Sequence, residues 1–91
     1  MTDTDILGML KVDLGIKTTS YDDRLTQYIT SSRLMIEREG VTFDATSIED
    51  CQLNVMYAAW MWRKRDEMLP MPRMLRYALN NRVLSEKMRA Q

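Results

Sequence analysis

Twelve consecutive residues, Cys51–Trp62, carry no formal charge and hold two tryptophans and a tyrosine. Read at helical period, Ile48, Cys51, Val55, Ala58, Ala59 and Trp62 fall on one side. Leu53, Met56, Tyr57, Trp60 and Met61 fall on another. A helix that is apolar nearly all round is either central to its protein or covered by a second body. With 91 residues the chain has few other helices to spend on covering it. The side bearing Trp60 is therefore expected to meet a neighbouring subunit. The alternative is internal cover by Phe43, Met68 and a fourth helix.

The charges are sorted about this segment. Met1–Asp50 contains ten acids against five bases, and Arg63–Gln91 contains eight bases against three acids. The poles are thus −5 and +5 on a chain whose net charge is zero. Opposite poles suit head-to-tail pairing of identical copies, which gives rings when the rotation closes. Chance clustering on a small surface gives the same pattern, so charge alone leaves the matter open.

Composition bounds the chemistry. One small domain is expected from the length. The isoelectric point near 6.2 is not that of a dedicated nucleic-acid binder, which is usually clearly basic. There is no histidine and a single cysteine, Cys51. An internal disulfide, a thiolate metal cluster, the usual zinc sites and the Cys–His and Ser–His pairs are all excluded. Met1–Asp5 has neither a basic start nor an apolar run, so no secretory signal is expected. No segment reaches membrane-spanning length without charge.

Four helices and no strand are expected, an all-α small bundle with the third helix at its centre. The first spans Thr4–Leu14, capped by Asp3 or Thr2 and ended by Gly15, with Ile6, Leu7, Leu10 and Leu14 on one face. The second starts at an Ser20 N-cap, carries Asp22 and Asp23 in its first turn, and repeats Leu25, Tyr28, Ile29, Ser32, Met35 and Ile36 before Gly40. Phe43 is expected to tuck inward from the connector. The third starts at Ser47, with Asp50 completing a weak capping box. Pro70 and Pro72 interrupt the chain, and a fourth helix over Arg73–Met88 turns Leu75, Ala78, Leu79 and Val83 inward and Asn80, Asn81 and Arg82 elsewhere. Met88–Gln91 is expected to fray.

The candidate chemical groups have plain structural readings. Asp22 and Asp23 are adjacent, point apart on a helix, and read as helix-start acids. Glu37 and Glu39 read as solvated charges. Cys51 lies among apolar positions with no base nearby, so it reads as a small buried hydrophobe. Gly8, Gly15 and Gly40 are scattered and form no phosphate loop. Arg63, Lys64 and Arg65 could bind the helix C-terminus, contact a subunit or partner, or touch phosphates. Nine methionines suit gap-filling or adaptable docking, with Met68, Met71 and Met74 bracketing the prolines. No catalytic residue, cofactor or metal ligand is assigned, and the chain is not expected to be an enzyme.

The order of these elements resembles a known family. An acidic helical start reaches Leu14-Gly15-Ile16. Tyr21-Asp22-Asp23-Arg24-Leu25 leads into a long helix. Asn54-Val55-Met56-Tyr57-Ala58-Ala59-Trp60 runs into Arg63-Lys64-Arg65, and Met71-Pro72-Arg73-Met74-Leu75-Arg76 opens a closing helix. From Leu7 to Met88 the chain is similar to the helical head–tail connector (adaptor) proteins of tailed bacteriophages. The resemblance implies a structural virion protein at the head–tail junction, made in the host bacterial cytoplasm. Its copies would form a ring, commonly of twelve subunits, docked under the portal protein. The ring would offer a landing surface to the tail or a stopper protein, with genomic DNA passing through its channel. Family rings reach the portal through an extended end, whereas this chain closes on a short helix.

On this reading Tyr57, Trp60, Met61, Arg63, Lys64 and Arg65 are the expected intersubunit or portal contacts, with Asp22, Asp23 and Arg24 as complementary partners. Two rivals differ in class. One is a small DNA-binding or packaging accessory protein using Arg73, Arg76, Arg82 and Arg89. The other is a regulator or enzyme subunit that supplies only a helical interface.

Overall fold

The computed structural model describes residues 2–89 and contains four helices: α1 (Asp3–Leu14), α2 (Asp22–Arg38), α3 (Ile48–Lys64) and α4 (Arg73–Arg89). The fold is an all-α small bundle, as expected. No strand occurs among the described residues.

Local signals set most of the helix ends. The Thr2 hydroxyl accepts from Asp5 N–H while the Asp5 carboxylate accepts from Thr2 N–H, a reciprocal cap on α1. Gly15 ends α1 at φ 73°, the left-handed position that glycine adopts without a Cβ clash. The start of α2 differs from expectation. Tyr21, not Ser20, is the N-cap; a phenol at the end of a ring is not suited to accept from the first-turn N–H groups and makes no such bond, while Asp22 N–H donates to Thr19 carbonyl in a turn. Ser47 caps α3 by accepting from Asp50 N–H. The Asp50 carboxylate does not complete a box there; it is drawn inward to Arg82. Met88 and Arg89 continue α4 rather than fraying, and Ala90 and Gln91 lie outside the described residues.

Helix α3 is the centre, with a hydrophobic cluster on each side. On one side Cys51, Val55, Ala58, Ala59 and Trp62 pack against Ile6 and Leu10 of α1 and Leu25 and Ile29 of α2. On the other, Leu53 and Tyr57 pack against Ile36, Val41, Leu75 and Leu79. Complete burial of an aliphatic side chain contributes about 1.5–3 kcal/mol, so Leu75 and Leu79 hold α4 in place. Ile48, expected on the inner side, is 63% exposed at the first helical turn.

Two polar fasteners cross the core. Asn54, fully buried on α3, donates to Ser32 Oγ at 2.6 Å and to Ile29 carbonyl at 3.1 Å on α2. Arg82 was expected to face away from the core; it lies inside it. Its guanidinium meets Asp50 at 2.6 Å and donates to Thr42 carbonyl at 3.0 Å. The cause is register: Arg82 follows Leu75 by seven residues and Leu79 by three, on the buried stripe.

Candidate functional site

The Trp60 side of α3 is partly closed by the chain itself. Tyr57 is buried beneath α4 and stands edge-on to Trp60, with ring centroids 5.5 Å apart. Trp60 is half-buried; its indole N–H donates to Leu69 carbonyl at 3.3 Å, and Lys64 Nζ lies 4.1 Å from its ring centroid. Of the three covers named for this side, the fourth helix supplies part through Leu75 and Leu79, while Met68 and Phe43 do not close it. Met68 is fully exposed, and Phe43 sits half-buried under the Arg33 guanidinium.

What neither α1 and α2 nor α4 covers is the strip Gln52, Met56, Trp60 and Arg63. Its Met56, Trp60 and Arg63 floor a cleft of about 320 Å³ between the end of α1 and the proline-led start of α4. Met56, Trp60, Leu69, Pro70 and Met74 make its walls apolar, and the Asp13–Arg63 ion pair at 3.3 Å sits at its edge. Pro70 and Pro72 shape this mouth because neither can continue a helix from the preceding residues. Met74 is 75% exposed at the rim.

The basic triplet is engaged within the subunit. Arg63 pairs with Asp13, Lys64 lies over Trp60, and Arg65 lies 3.6 Å over the Trp62 ring while donating to Trp62 carbonyl. The last contact is the helix-end reading of this cluster, in which a cation meets the negative end of α3.

The acids expected to complement the triplet lie at the same end of the molecule. Tyr21 stands edge-on to Trp62 at 5.3 Å, so Asp22 at the start of α2 sits beside the end of α3. Asp22 is bound by Lys11 at 2.8 Å, while Asp23 and Arg24 are exposed. Asp22 and the triplet are thus brought to one end of one subunit, rather than to two opposite faces. Met61 is half-buried against the α4-side cluster.

The remaining charges sort in the same way. Glu39, expected to be solvated, pairs with Arg76 at 3.2 Å, and Arg82 is sealed against Asp50. Of the four α4 arginines named for nucleic acid, Arg73 and Arg89 are exposed and uninvolved in these pairs. Cys51 is buried, its thiol directed at Ala45 carbonyl. Burial raises the Tyr57 phenol above its ordinary range, with Glu39 adding to the shift and Arg76 opposing it. Among the described residues no group of three or more metal-type ligands converges, and no helix is long and apolar enough to cross a membrane.

Two features of α4 go beyond the pattern read from the chain: the buried Arg82 and a second apolar stripe on its outer side. The spacing of Leu75, Leu79 and Arg82 carried the first signal. The spacing of Met74, Tyr77, Leu84 and Met88 carried the second.

Compared with known proteins, the chain matches no family model, no curated protein and no solved structure.

Proposed function

We propose that this chain is a structural assembly subunit, a phage head–tail connector whose copies close into a ring between the portal and the tail or stopper. The observation that carries the reading is the apolar cleft beside Trp60, open on one side and rimmed by exposed Met74. Apolar surface of this kind, set among polar rim residues, marks a contact with another macromolecule. The order of helices and the Met71-Pro72-Arg73 break resemble the connectors. The zero net charge adds support, because phosphate affinity grows with each cation engaged and a channel that DNA must leave should hold few of them.

Electron microscopy of the purified protein mixed with portal protein tests this. Rings stacked coaxially on the portal are expected; free portal and unassembled protein at high concentration would overturn the reading. Filter binding against salt separates it from the DNA-binding alternative. Tight binding that falls steeply with salt would favour that alternative, for which only Arg73 and Arg89 among its four arginines remain uncommitted.

A further inference from the structure

Helix α4 has two apolar faces. Leu75, Leu79 and Arg82 point into the bundle. On the opposite side Met74, Tyr77, Leu84 and Met88 are 75, 60, 57 and 66% exposed. With Asn81 between them, these residues follow the alternating three-and-four spacing of a heptad seam. The seam runs about 21 Å at 1.5 Å per residue. One flank carries Arg73 and Lys87 and the other the small residues Ala78 and Ser85. Nothing inside the subunit uses this face.

A surface of matching character lies on α1 and α3. Exposed Val12 and half-buried Met9 are shared by two shallow depressions, one running back along α1 past Gly8 to Asp5 and the other crossing to Met56. Met56 and Asp13 in turn join that second depression to the cleft beside Trp60. The result is one continuous apolar strip with Asp5 and Asp13 on its α1 edge, Asp13 being about half-exposed and already paired on one side with Arg63. A Cβ placed on Gly8 would meet nothing within 4 Å, so the backbone of α1 is bare at this point and a second helix can lie close to it.

We propose that the outer seam of α4 of one copy lies along the α1–α3 strip of the next, with Arg73 and Lys87 toward Asp5 and Asp13. The occupant is a second copy of this chain because the seam's cationic flank and the strip's acidic edge are complementary. Two α4 seams set against each other would bring like charges to the same interface. Seam and strip are different surfaces that meet only at Met74, on the rim of the Trp60 cleft, so the contact is heterologous and leaves one free copy of each at the ends of a row, as ring closure requires. The proposal rests on the assembly reading above and names its two faces.

Variants with one added surface cysteine test it without requiring a stable oligomer. Val12→Cys and Leu84→Cys both replace exposed side chains, and the native Cys51 is buried. Mixed and oxidised, they should form the Val12→Cys to Leu84→Cys disulfide about tenfold faster than Val12→Cys pairs with an exposed control, Gln27→Cys, because association raises the effective concentration. Adding Gly8→Arg to the Val12→Cys chain should remove the excess while circular dichroism and the melting temperature show a folded helix bundle. An excess absent from the mixture, or one retained with Gly8→Arg, overturns the proposal. So does a dominant Leu84→Cys disulfide with itself, which would mean that α4 pairs with α4. If portal-bound rings form without the mixed disulfide, this interface fails and the connector reading stands. If the disulfide forms but no ring or portal complex does, the interface stands and the connector reading fails.

Discussion

Arg82 Nε lies 2.6 Å from Asp50 Oδ1, and both side chains are almost wholly enclosed, at 3% and 1% exposure. Asp50 also accepts from Asp44 N–H at 2.9 Å, and Arg82 donates to Thr42 carbonyl at 3.0 Å. The pair therefore ties α3, α4 and the α2–α3 connector together at one point. Removing one member leaves a buried charge uncompensated, at a cost of about 3–5 kcal/mol. Arg82→Met should lower unfolding stability by that order in urea titrations. The double variant Asp50→Leu, Arg82→Met should recover much of it, because two apolar groups leave no charge stranded. A double variant as unstable as the single one would mean that the other hydrogen bonds, rather than the charge balance, dominate this site.

The two tryptophans of α3 should respond unequally to truncation. Trp62 is 9% exposed and packed against Tyr21 and Tyr28, with Arg65 over its face. Trp60 is half-buried at the cleft. Trp62→Ala should cost about 3–5 kcal/mol of stability, the range for a buried aromatic. Trp60→Ala should cost less than half of that and act chiefly on assembly. Thermal melts paired with portal-binding measurements check both halves. Equal destabilisation would place Trp60 in the core in energetic terms.

Glycine replacements on α1 should have opposite signs. Gly8 lies in mid-helix with open space at its Cβ position, so Gly8→Ala should raise stability by roughly 0.5–1 kcal/mol. Gly15 sits at φ 73°, where a side chain strains the backbone, so Gly15→Ala should lower it by about 1 kcal/mol. Differential melting of the two variants is sufficient to compare them.

Acid should loosen the contact between α4 and the connector. Hydrogen bonds from the Thr42 backbone N–H, and then from its side chain, hold Glu86 below its ordinary value of 4.5. A carboxylate whose folded pKa is depressed adds stability that is present above its unfolded pKa and lost as pH falls through the folded one. Glu86→Gln should therefore melt below the wild type at neutral pH, with the gap closing in acid. The Thr46 hydroxyl and N–H lower Asp44 in the same way, so Asp44→Asn should show the same sign. A gap that is constant with pH would count against both bonds in solution.

Much of the architecture was written in local signals. Thr2, Gly15 and Ser47 mark helix ends through bonds to near neighbours, the prolines do so by lacking an N–H, and the apolar periods of α1, α2 and α3 give their inward faces. The contact groups read less well. Arg63, Lys64 and Arg65 look like a free basic patch in one dimension, yet Asp13, Trp60 and Trp62 engage them in three. Asp13 is fifty residues from Arg63, and no spacing rule reaches that far.

Four helices, most of their ends and the central place of α3 are legible in residue order alone. Those properties follow from interactions within a few residues along the chain. The closing of α4 over Tyr57, the inward turn of Arg82 to Asp50 and the open strip beside Trp60 come from packing in three dimensions. Each depends on which helix face meets which. That choice is made by long-range packing and by the need to neutralise a buried charge, both of which join residues that are distant in the chain.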